Sequence, residues 1–141
     1  MKCCTFFGHR EIYQPIDKEL KEIIINLIEK ENVTHFYVGN QGNFDAIVFK
    51  ILKEIKLTYP TISYNVILAY IPKSPTDYDS TDILPEGIEN IHPRFAISWR
   101  NKWMINNSDY VVTFVTHPWG GASKFKTLAE KQGKKVINLV L

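Results

Sequence analysis

The stretch Asp109–Glu130, DYVVTFVTHPWGGASKFKTLAE, decides how the whole chain is read. Its first part, Tyr110 to Val115, is a continuous β-branched and aromatic run too short for a helix, which is the pattern of a strand buried in a parallel sheet. Pro118, Gly120 and Gly121 end that run in a turn whose bare backbone can approach a ligand, and Ala122 to Lys131 then reads as a helix. A strand, a glycine turn and a helix start together form an anion site. The unbonded N–H groups of the first helical turn and the helix dipole both favour a phosphate or carboxylate. A plain strand-to-helix turn would show the same glycines, so the rest of the chain must separate the two readings.

Outward from that stretch, Lys2 to Phe7 (KCCTFF) reads as an apolar strand closed by Gly8, His9 and Arg10. Ile16, Leu20, Ile23, Ile24, Leu27 and Ile28 recur at helical spacing, with Pro15 suited to the first turn and charged residues on the opposite face. Thr34 to Val38 is a second strand, closed by the loop Gly39, Asn40, Gln41, Gly42 and Asn43. Phe44, Ile47, Val48, Ile51, Leu52 and Ile55 then mark a second helix, with Asn43 as its expected N-cap. Tyr64 to Tyr70 is a third strand, stopped by Pro72. The segment 71–92 is irregular, a length that in compact domains goes with lids or binding loops. Phe95 to Asn106, begun near Pro93, is a third helix whose Phe95, Trp99, Trp103 and Ile105 suit core packing and subunit contact. Val136 to Leu141 is a final buried strand.

The chain's 141 residues, 45% hydrophobic and 23% charged, suit one domain. The net charge is +2 and the lysines alternate with glutamates, so no basic stripe of the kind a duplex binder needs is present. With no apolar run long enough for a membrane span and no signal-peptide pattern, the expectation is a cytoplasmic protein with no membrane partner. Cys3 and Cys4 are adjacent and would face opposite sides of a strand, as core thiols. His9, His35, His92 and His117 lack metal-ligand spacing, so no metal is expected, and no motif requires a cofactor.

Strands alternating with helices predict an α/β fold: a Rossmann-like, doubly wound parallel sheet of five strands in the order 3-2-1-4-5, with helices on both faces. In that order the first strand and the Asp109 strand lie side by side at the switch point, where such sheets bind ligands. Gly8, His9 and Arg10 then approach Gly120 and Gly121, with Gly39–Asn43 at the end of the next strand. Three glycine-bearing loops converge on one crevice, which favours a ligand site over isolated tight turns.

The segments CCTFFGHR, FYVGNQGNFDAIV, AYIP, WRNKWMINNSDYVV and GGASKFKTLAEKQGKKVINL, taken together and in this order, resemble the YpsA-like SLOG proteins of bacteria and phages. These are related to the lysine decarboxylase-like (LOG) proteins and to the DNA-processing protein DprA. The resemblance covers nearly the whole chain. It implies a Rossmann-like domain that binds nucleotides or nucleotide-derived molecules, including signals made from NAD, with an NAD or ADP-ribose metabolite as the expected ligand. By that resemblance Gly8, His9 and Arg10 form the first ligand loop, Gly39, Gly42 and Asp45 the second, Arg100 and Asn101 the RN pair, and Gly120, Gly121, Ala122 and Ser123 the phosphate-side turn. In physical terms Arg10 or Arg100 would pair with a phosphate, and Asn40, Gln41 and Asn101 would read ribose hydroxyls or a base edge. Asp45 is either a dipole-stabilised residue of a first helical turn or an acceptor for a ribose hydroxyl.

The LOG hydrolases look like PGGxGTxxE. Here Trp119 stands for the proline, Ser123 for the later glycine, Lys124 for the threonine and Thr127 for the glutamate. A carboxylate is what would activate water or stabilise an oxocarbenium-like centre, so its loss argues against turnover and leaves Asp45 as the catalytic candidate. The reading is a nucleotide-binding module acting as sensor or sponge. Its alternatives are a LOG-type hydrolase of N-glycosidic or phosphoester bonds and, disfavoured by the charge pattern, DprA-like binding of single-stranded DNA. A homo-oligomer through the Trp99–Trp103 helix is also expected.

Overall fold

A computed structural model describes residues 1–139. The chain runs β1 (Lys2–Gly8), α1 (Asp17–Glu31), β2 (Val33–Val38), α2 (Gly42–Thr58), β3 (Ser63–Ile67), β4 (Asp82–Ile83), α3 (Pro93–Asn106), β5 (Tyr110–Phe114), α4 (Gly121–Lys131) and β6 (Lys135–Asn138). All strand pairs are parallel. The sheet has six strands in the order β4-β3-β2-β1-β5-β6, which corrects the expectation of five in the order 3-2-1-4-5. The additional strand is β4, inside the segment expected to be irregular.

β4 escapes the sequence because two residues carry no period. It is held by pairing instead: Val66 N–H donates to Thr81 O at 3.0 Å and Leu68 N–H to Ile83 O at 2.8 Å. Short 3-10 turns at Pro75–Asp77 and Ile88–Asn90 flank it, and Ile88 is buried. The segment 71–92 is therefore fastened along the sheet edge.

Alternation along β1 sorts the two core layers, since successive strand residues face opposite sides. Cys4 and Phe6 pack with Leu20, Ile24 and Leu27 of α1 and Val48, Leu52 and Ile55 of α2. Phe7 faces the other way, to Met104 and Ile105 of α3 and Phe125 and Ala129 of α4. Each fully buried Leu, Ile or Phe contributes about 1.5–3 kcal/mol relative to exposure. Cys3 and Cys4 are both buried free thiols, and burial pushes both above the ordinary thiol range. Trp103 packs edge-on against Tyr37 of β2, centroids 5.4 Å apart, so this indole serves the chain's own interior. Phe95 lies exposed on α3.

Two strands end earlier than expected for local reasons. β5 stops at Phe114 because the Asn138 side chain takes both backbone groups of Val115. Val115 N–H donates to Asn138 Oδ1 at 3.0 Å, and Asn138 Nδ2 donates to Val115 O at 3.1 Å. β3 stops at Ile67 because its pairing with β2 ends at Val38↔Val66. β6 ends at Asn138; Val140 and Leu141, expected in this strand, lie outside the described residues.

Candidate functional site

At the carboxyl ends of β1 and β5 the loops enclose a cleft of about 520 Å³. The pairing that creates it is direct: β1 and β5 are neighbours in register Gly8↔Phe114, so the chains leaving both strands diverge from one point. Of the expected site residues, Gly8, His9, Arg10, Gln41, Asp45, Arg100, Asn101, Gly120, Gly121 and Ala122 line this cleft. Gly39, Asn40, Gly42 and Ser123 do not.

Each of the last four has another place in the structure. A Cβ on Gly39 would lie 2.8 Å from Asp45 Oδ2 and 3.0 Å from Arg100 Nη1, so this glycine admits protein side chains. Gly42, at φ +89°, lets the backbone of Arg10 pass, its own Cβ position being 2.8 Å from Arg10 Cα. Asn40 is exposed, and its Oδ1 accepts from Arg100 Nη1 at 3.4 Å and from Gln41 Nε2 at 3.3 Å. Ser123 is half-buried on α4 away from the cleft wall.

The start of α2 also differs from expectation. Gln41, not Asn43, occupies the N-cap position, and its side chain makes no capping bond. Asp45 serves the turn instead, with Oδ2 accepting the Gln41 N–H at 2.9 Å. Asn43 gives its backbone N–H to Arg10 O at 2.8 Å, which ties the loop after β1 to the first turn of α2. One orphan donor of the helix start, the Asn43 N–H, is thus satisfied from outside the helix.

Arg100 is the most unusual residue in the cleft. It belongs to α3 and is only 2% exposed. Nη1 donates to Ile67 O at 2.8 Å, at the end of β3, and Nε donates to Asn101 Oδ1 at 2.9 Å. Nothing among the described residues engages Nη2. Burial lowers the Arg100 pKa while the charge of Asp45 opposes that shift. Burial likewise pushes the Asp45 carboxyl up to about 6, against the opposing effects of the Gln41 N–H and the cations Arg100 and Arg10. A buried cation is costly unless its donors are met, and Nε and Nη1 are met within the protein.

The turn before α4 is open. Gly120 adopts φ +92°, and a Cβ on Gly121 would meet nothing within 4 Å. The helix start therefore faces free space. Glu130, the nearest carboxylate on α4, pairs with Lys126 at 3.2 Å and takes no part in the cleft wall. Thr127 is exposed.

Several cleft residues had no sequence motif. Glu11, Tyr13 and Gln14 enter from the loop after β1, with the Tyr13 hydroxyl bonded to the Glu11 carboxylate. Thr116 and His117 enter from the loop after β5. The usable signal was positional, because any residue just beyond β1 or β5 falls at the switch point. His9 and His117, scattered in sequence, meet face to face with ring centroids 3.8 Å apart. His9 Nε2 accepts the Thr116 N–H at 2.9 Å, and burial, then the neighbouring His117, lowers its pKa. No lining residue comes from the segment 71–92. Among the described residues no group of three or more His, Cys, Asp or Glu side chains is arranged for a metal ion, and no helix is long and apolar enough to cross a membrane. No protein-family model matches the sequence, and no curated protein does.

Proposed function

We propose that the cleft binds a phosphate-containing nucleotide or nucleotide-derived small molecule, of the NAD or ADP-ribose kind, and that the protein acts as a sensor or sequestering module. The supporting observation is that Arg100, almost wholly buried with Nη2 unengaged among the described residues, shares one cleft with the open first turn of α4. The remaining guanidinium nitrogen, Nη2, offers charge-assisted N–H donors to a phosphate, and the helix start offers backbone N–H groups and a favourable dipole. Arg10 adds a second cation at the cleft wall. The resemblance to SLOG proteins points the same way; a homo-oligomer through the Trp99–Trp103 helix is a separate part of the proposal, and Phe95 is exposed on that same helix, α3.

The test is mass spectrometry of small molecules released by heating the purified protein, followed by calorimetric titration with those recovered. Arg100→Met and Gly121→Asp are each expected to weaken binding at least tenfold, the second by placing a carboxylate in the open turn without a clash. Unchanged affinity in both variants would remove the proposal.

A second reading, hydrolysis of an N-glycosidic or phosphoester bond in such a ligand, is favoured by one observation. Asp45 lines the cleft and titrates at about 6, so near neutrality it can both give and take a proton. Recovery of split ligand after long incubation, lost in Asp45→Asn, would move this reading ahead.

A further inference from the structure

The loops after β1 and β5 together build a column of three rings that neither the fold nor the anion site requires. His9 and His117 stack at 3.8 Å and 13°, and His117 stacks on Trp119 at 4.1 Å and 21°. Two rings cannot share one face of an imidazole at such distances, so His117 is sandwiched between the other two. The inner end is fixed: His9 Nε2 accepts the Thr116 N–H, and its ring meets Phe114 edge-on at 6.2 Å. His117 Nδ1 is buried and has no partner among the described residues, so stacking rather than hydrogen bonding orients that ring. At the outer end Trp119 is 66% exposed. One indole face is covered by His117, which leaves the other face open to solvent.

An open indole is a large apolar surface with a ring of negative potential, suited to stacking on a flat partner. Its position gives that partner an identity. Trp119 is not itself among the residues that line the cleft, but it lies in the chain between His117 and Gly120, which do, so the open ring face and the free helix start belong to one short turn beside the cleft. The buried Arg100 with unengaged Nη2 on the same cleft is an independent sign of an anionic ligand there. We propose that Trp119 is the stacking platform for the planar nitrogen heterocycle of the ligand, with the phosphate of the same molecule on the Gly120–Gly121 turn. The inference rests on the nucleotide reading above and adds to it that the ring, and not the sugar phosphate alone, is recognised. A column fixed in advance loses little freedom when a fourth ring is added. Burial, and then the neighbouring His117, lowers the His9 pKa, which favours the uncharged form of the inner ring.

The test is calorimetric titration of the full chain with AMP, GMP and ribose 5-phosphate, which carry one phosphate each, using wild type, Trp119→Phe and Trp119→Ala. The wild type should bind at least one of the two nucleotides about tenfold or more tighter than ribose 5-phosphate, as a stacked base contributes. Trp119→Ala should lose that preference while keeping its affinity for ribose 5-phosphate, and Trp119→Phe should retain most of it. Because the residue is exposed, both variants should melt close to the wild type. A nucleotide preference unchanged in Trp119→Ala overturns the platform but leaves the anion site standing. An altered oligomeric state by light scattering, with the preference intact, overturns it in favour of a subunit contact. No binding of any of the three compounds by the wild type overturns the nucleotide reading, and this inference with it.

Discussion

Glycines at the two mouths of this sheet do opposite things. After β1 and β2 they are crowded by the protein itself: a Cβ on Gly8 would lie 2.3 Å from the Phe44 ring, and one on Gly39 2.8 Å from Asp45. Before α4 they border empty space, with nothing within 4 Å of a Cβ on Gly121. The first group lets α2, Asp45 and Arg100 close in behind the cleft. The second keeps the cleft open. A glycine at the end of a strand is therefore a sign of close approach, and only the surroundings tell whether protein or ligand makes that approach.

The contrast breaks most clearly at Gly8. Gly8→Ala forces the Phe44 ring from its place in the core and should cost about 2–3 kcal/mol, seen as a fall of roughly 10 °C in Tm. Adding Phe44→Leu to the same chain should return part of that loss, because the two sites share one contact. A Gly8→Ala protein that melts with the wild type would show that the crowding is not real.

A smaller effect belongs to Asp45, whose carboxyl the crowded side buries. Its folded pKa of about 6 lies above the ordinary 3.8, so the folded state favours the protonated form. This group's stabilisation is complete below about pH 4 and is lost as pH rises through 6. Asp45→Asn keeps an oxygen for the Gln41 N–H but has no proton to lose. The Tm of Asp45→Asn minus that of the wild type should therefore rise by about 8 °C between pH 4 and pH 7.5. A constant difference across that range would place the carboxyl in ordinary solvent.

Smallest is Gly121→Ala, which meets no atom and improves the first turn of α4. It should raise stability by about 0.5 kcal/mol, opposite in sign to Gly8→Ala, with thermal melting as the measurement. A loss of several degrees would mean that the turn is as crowded as the other side.

Periodicity made most of this fold legible. The helical spacing of Leu20, Ile24 and Leu27 and the apolar run from Tyr110 marked the elements, and their alternation placed β1 beside β5. β4 was hidden because two residues have no period and its hold is backbone pairing with β3. The crevice was legible as a place, since the switch point follows from strand order. Its chemistry was less so. Arg100 was named in sequence only through the RN pair of the resemblance, and its burial under the end of β3 comes from packing of distant segments. The meeting of His9 with His117 has the same origin, because two loops share a mouth only once the strands pair.

The Asn138 clamp on Val115 has a consequence in time as well as in shape. The turn that carries Trp119, Gly120 and Gly121 leaves the sheet from a residue whose N–H and C=O are both held, with Thr113 Oγ1 donating to the same Asn138 oxygen at 2.8 Å. A mouth anchored at its root does not have to rearrange before a ligand can enter. Arrival should then be similar for all small phosphates, and what separates one ligand from another should be how long each stays.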